Sequence, residues 1–212
     1  MSRNEIEVTE ILPRIFYLKF YNQEAAASTF LRFQEYYESP NPKFKRHYFT
    51  LDQYKKWYIQ EMGSFSYYTD WSGFNIPDYV LKPFRDGLFD PLSAKEKQLL
   101  NAVASIDRRK PFYVIGTASK KHLPHEMMHA LWYLDKSYRK EIAALLKRIP
   151  STFKKQFKNE LMSTGYCSDV MDDELQAYLQ CGKSWFKDHG IDIAPYADIS
   201  EALSNVFHRH SK

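Results

Sequence analysis

The sequence predicts an α+β fold, with a mixed α/β N-terminal half built on a small sheet and an all-helical C-terminal half. Three observations carry this. Runs rich in aromatic and β-branched residues at 14–20 and 110–119 read as strands and alternate with helical stretches. After residue 120 every segment has helical character. The chain of 212 residues, 44% hydrophobic and 26% charged, suits one globular domain, 1–212, with subdomains 1–120 and 121–212.

Taken in order, "RIFYLKF" (14–20) is the first strand. "QEAAASTFLRFQEYYE" (23–38) follows as a helix, because Ala, Leu and Gln dominate and Phe30, Leu31, Phe33 and Tyr37 recur near helical spacing. The two prolines of "SPNPK" stop it. "FKRHYF" (44–49) is a second strand, and Thr50 caps a helix over "LDQYKKWYIQEM". "SFSYYT" (64–69) is a third strand, running into a Gly- and Pro-punctuated loop with one short helix near 77–85. Ser93, with Glu96 three residues on, opens a helix as a capping box. "KPFYVIGTAS" (110–119) is the clearest strand; helices are expected over 122–134, 137–149, 151–162, 169–181 and 198–210.

Thirty basic residues against 26 acidic ones, spread along the chain, give a net charge of +4 and no concentrated field for a nucleic-acid backbone. Neither the first residues nor any later run offers the apolar length of a signal peptide or membrane span, so no nucleic acid and no membrane is expected as a partner. The expected compartment is cytoplasmic, although export without a cleaved signal gives the same pattern. Cys167 and Cys181 are too few for a disulfide scaffold and are read as small buried residues.

The chemistry is concentrated in "HEMMHALWYL" (125–134). On a helix, His125 and His129 share one face a turn apart and can point at a single ion, while Glu126 stands about 100° round the helix. Zn2+ suits two neutral imidazoles and leaves a position open for water. Pro124 fits the first helical turn, and the "FYVIG" strand just before the motif is placed to form a sheet edge for an extended peptide. The competing reading is a buried helix whose two imidazoles bond to backbone. A third ligand must come from further downstream, since residues 130–141 contain no His. Glu174 in "VMDDELQAYLQCG" is the best placed, on an apolar helix with small Ala177 beside it; Asp172, Asp173 and Glu141 are further candidates.

The HExxH helix joined by a later Glu in an E-x-x-A setting resembles the gluzincin clan of zinc metallopeptidases, the thermolysin-like enzymes among them. That resemblance implies a zincin-like fold, one zinc ion held by His125, His129 and Glu174, and Glu126 as catalytic carboxylate in the hydrolysis of a peptide or protein substrate. It rests on residues 113–134 and 170–180. Thermolysin-like enzymes place an aspartate four residues after the ligand Glu; here that residue is Tyr178, leaving the partner of His125 unassigned. Tyr178 is instead read as an oxyanion donor, with Tyr138 or His122 as substitutes. Trp71, Phe74 and Asn75 are read as loop residues that either line a substrate pocket or pack on the core. A zincin-like binding or regulatory protein with little hydrolysis is the alternative function.

Overall fold

A computed structural model describes residues 6–212, which divide between Glu126 and Met127 into two compact units. The first is mixed α/β and the second helical, as the sequence predicts. Among the described residues no helix is long and apolar enough to cross a membrane.

The first unit is organised on a four-stranded sheet of β1 (Glu7–Leu12), β2 (Ile15–Lys19), β3 (Gly73–Pro77) and β4 (Tyr113–Thr117), in the order β1-β2-β4-β3. β2 and β4 are parallel, whereas β1 on β2 and β3 on β4 are antiparallel. The "FYVIG" strand is therefore interior and not the expected sheet edge; that edge is β3, within the stretch that reads as loop. Pro77 is compatible with β3 because it ends an edge strand, where no further ladder donor is needed. On one sheet face lies α1 (Gln23–Glu38), whose Phe30 stacks on Phe74 with centroids 5.6 Å apart. Gly116 makes that approach possible, since a Cβ there would stand 2.2 Å from the Phe30 ring.

Two expected strands are absent. Residues 44–49 form a turn in which Arg46 adopts φ +62, while Phe44 and Phe49 bury against Tyr54 of α2 (Leu51–Met62). Residues 64–69 pass into a short helix, α3 (Tyr67–Asp70), whose Asp70 accepts hydrogen bonds from Tyr58 and Ser66. A 3-10 turn (Asp78–Leu81) and α4 (Lys82–Arg85) supply the short helix expected near 77–85. The capping boxes of α2 (Thr50 with Gln53) and α5 (Ala94–Ala102; Ser93 with Glu96) both form. Glu96 also meets Arg32 of α1, both buried, in a two-pronged ion pair with each prong 2.6 Å.

Glu35 of α1 is buried beside Tyr54, Tyr67 and Ser39, and among the described residues its Oε2 has no hydrogen-bond partner. Burial pushes its pKa from 4.5 up to about 7, against the opposing pull of those three hydroxyls. A carboxyl whose folded pKa is raised favours the fold while protonated. Stability is thus expected to fall by on the order of 3 kcal/mol as pH rises from 4.5 to about 7, and then to level off. In urea unfolding, Glu35→Gln should flatten this slope; a variant as pH-dependent as the wild type would exclude Glu35 as its source.

α6 (Leu123–Leu134) runs through the division, entered by a 3-10 turn at Lys120–His122. The second unit continues with α7 (Lys136–Leu146), α8 (Ser151–Ser163), α9 (Met171–Cys181), α10 (Lys183–Asp188) and α11 (Ala197–His210). Phe157, Leu161, Leu175, Leu179, Phe186 and Leu203 fill its interior. α10 has no counterpart among the expected helices; it is short and held by the burial of Phe186. Cys167 is buried as expected, whereas Cys181 is exposed at the end of α9.

Candidate metal centre

The imidazoles of His125 and His129 and the carboxylate of Glu174 come together, each with one ligand atom within 4.8 Å of the others. The first two stand on α6, four residues apart; the third stands in the first turn of α9. Helical spacing alone brings the histidines to one face. Glu174 is set by the packing of α9, whose Leu175, Ala177 and Leu179 are buried. These residues lie close enough to bind a metal ion.

The donor set fits such an ion. His129 Nε2 and Glu174 Oε2 are 3.7 Å apart, close to the roughly 3.4 Å between two tetrahedral ligands that each lie about 2.1 Å from one ion. The second imidazole nitrogen of His129, Nδ1, is 2.9 Å from Asp173 Oδ1. A proton on Nδ1 shared with that carboxylate makes Nε2 the lone-pair nitrogen, on the Glu174 side, which is how a ligating histidine is ordinarily held in its tautomer. Both His129 and Glu174 are buried, so their polar atoms are shielded from competing water.

Asp173, a candidate third ligand by residue type, stands behind His129 instead. The carboxylate beside His129 thus comes from the residue just before Glu174, and it faces His129, not His125. Glu141 and Asp172 are engaged elsewhere. Glu141 pairs with Arg209 and lies 3.0 Å from His210 Nε2, and exposed Asp172 is 3.3 Å from Lys154.

Glu126 is buried and held from the sheet. Asn75 of β3 donates through Nδ2 to Glu126 Oε2 at 2.5 Å, and the Tyr113 hydroxyl donates to Asn75 Oδ1 at 2.5 Å. Gly73 lies directly beneath: a Cβ there would stand 2.1 Å from Glu126 Oε1. By composition Asn75 suits a pocket wall; its hold on Glu126 has no signature in a five-residue motif.

Tyr178, the expected oxyanion donor, packs against Phe157, Trp185 and Phe186, and its hydroxyl is 3.2 Å from that of Tyr166. Tyr138 is buried and its hydroxyl donates to Gln176. His122 is half-buried in the turn before α6, and burial, with Lys121 nearby, lowers its pKa. Trp71 and Phe74 pack on the aromatic core, with Phe74 fully buried against Phe30 and Tyr67. No protein-family model, curated protein or solved structure matches this chain.

Proposed function

We propose that this chain is a zinc-dependent metallopeptidase of the gluzincin type, hydrolysing peptide bonds in a peptide or protein substrate. The observation that supports it is the convergence of His125, His129 and Glu174, with His129 backed by Asp173 and Glu126 next in sequence to a ligand. Two imidazoles and one carboxylate are a donor set that suits zinc and leaves a position open.

Zinc held there supplies Lewis acidity toward water and a carbonyl oxygen. Glu126 takes a proton from the water as its oxygen forms a bond to the carbonyl carbon. It then gives that proton to the departing nitrogen as the C–N bond breaks, so that it ends ionised as it began. Asp173 keeps His129 in the tautomer that ligates. For a second donor to the developing oxyanion we propose Tyr178, one turn past Glu174 on α9. The edge position of β3, which holds Glu126 through Asn75, suits an extended chain laid alongside it.

The test is a zinc titration of the full chain followed by digestion of an unbiased peptide library read by mass spectrometry. The wild type should bind one ion and cleave. His129→Ala should lose both properties, and Asp173→Asn should weaken zinc binding by about 10- to 100-fold. A wild type that binds no zinc overturns the proposal; one that binds zinc and cleaves nothing leaves a metal-binding protein without peptidase activity.

A further inference from the structure

Glu126 must be presented to the proposed reaction without ligating, and a glutamate side chain has three rotatable bonds. Something must fix it. Asn75 makes three described hydrogen bonds: its backbone N–H donates to Gln34 Oε1 at 3.3 Å, its Nδ2 donates to Glu126 Oε2, and its Oδ1 accepts from Tyr113. The Glu126 carboxylate, which only accepts, settles which end of the amide faces which way, and the Tyr113 hydroxyl donates to the other end. With the amide reversed, Oδ1 would oppose the Glu126 carboxylate, two acceptors with no proton between them.

Asn75 and Tyr113 sit on neighbouring strands with Tyr113 in register with Pro77, so both project from the same sheet face, the one opposite Phe74 and Phe30. Gly73, two residues before Asn75 on that face, leaves the space that Glu126 Oε1 occupies. Three residues of the first unit thus form a cradle: a donor on one carboxylate oxygen, an absent side chain under the other, and a hydroxyl that orients the donor.

We propose that Asn75, oriented by Tyr113, is a positioning residue for Glu126, restraining its carboxylate for proton transfer. The inference rests on the peptidase reading above. A group that positions a base lowers kcat when removed, because misplacement by about an ångström costs up to about 100-fold, and it leaves substrate binding alone.

The test uses the zinc-loaded full chain and the best-cleaved peptide from the library. Asn75→Ala is expected to bind one zinc ion, to keep KM, and to lose about 10- to 100-fold in kcat. Asn75→Asp should lose more, since an anion there repels Glu126, and Tyr113→Phe should lose less. In a Glu126→Gln background none of the three should lower the residual rate further. Unchanged kcat in Asn75→Ala overturns the proposal, as does a loss that appears wholly in KM or in zinc content.

A second measurement needs no activity. In the metal-free protein, the Asn75 side-chain amide resonance should move on Glu126→Ala; an unmoved resonance overturns the proposal even if peptides are cleaved. If the wild type cleaves nothing, the peptidase reading falls, and this resonance still decides whether Asn75 holds Glu126. Should Asn75→Ala fail to fold, Tyr113→Phe and the resonance decide.

Discussion

Glu126→Gln is expected to abolish most peptide hydrolysis, by about 10²- to 10⁴-fold in kcat, while zinc binding stays at the wild-type level. Gln has nearly the same shape. Its carbonyl oxygen can still accept from Asn75, and it fits the space above Gly73 that any added atom would fill. What it loses is charge and basicity, since an amide cannot take a proton from water at neutral pH. His125, His129 and Glu174 are untouched, so the ion keeps its ligands. Stability should not fall, because an amide is cheaper to bury than a carboxylate. Zinc content and the library digest, measured on the same sample, check it. Full activity in Glu126→Gln would remove Glu126 from the mechanism, and loss of zinc with activity would show that the side chain supports the ligands instead.

The parts of this site that are legible in sequence are those encoded by spacing on one helix. His125, Glu126 and His129 need only a 3.6-residue turn to share a region, and the apolar stripe around Glu174 marks a buried helix. Local signals also reveal the capping boxes of α2 and α5, since both halves of each box lie three residues apart. The failures have the opposite character. β3 contains Gly73, Asn75 and Pro77, residues that ordinarily mark loops, and it is a strand only because β4 pairs with it from a distant point in the chain. The aromatic run 44–49 has strand composition, yet Phe44 and Phe49 are drawn into one aromatic cluster and the chain turns at Arg46 to bring them there. Residues 64–69 lose their strand to local hydrogen bonds, with Thr69 and Asp70 both bonded back to Ser66. Asp173 shows the same limit within the site. Its type is visible in sequence, but which imidazole nitrogen it faces depends on the packing of α9.

Glu96→Ala is expected to destabilise the protein by about 3–5 kcal/mol, an effect independent of any catalytic reading. Glu96 and Arg32 are 4% and 6% exposed, so removing the carboxylate leaves a guanidinium that water cannot reach. Arg32 keeps a carbonyl partner in Phe89, at 3.1 Å, and the face of the Phe89 ring, but neither carries a compensating charge. Glu96 has a second duty, accepting the Ser93 N–H at 2.7 Å at the start of α5. Ser93→Ala removes the reciprocal half of that cap alone and should cost about 1 kcal/mol, which separates the cap from the pair. For a chain of this length the Glu96→Ala loss corresponds to a fall in Tm on the order of 10 °C. Replacing both partners, Arg32→Met with Glu96→Leu, should recover most of it, because no charge is then buried unpaired. Thermal and urea unfolding of the wild type, Arg32→Met, Glu96→Leu and the double variant gives the coupling energy. If Glu96→Ala costs less than about 1 kcal/mol, the value typical of a solvated surface pair, then water reaches Arg32 and the pair does not hold α1 to α5.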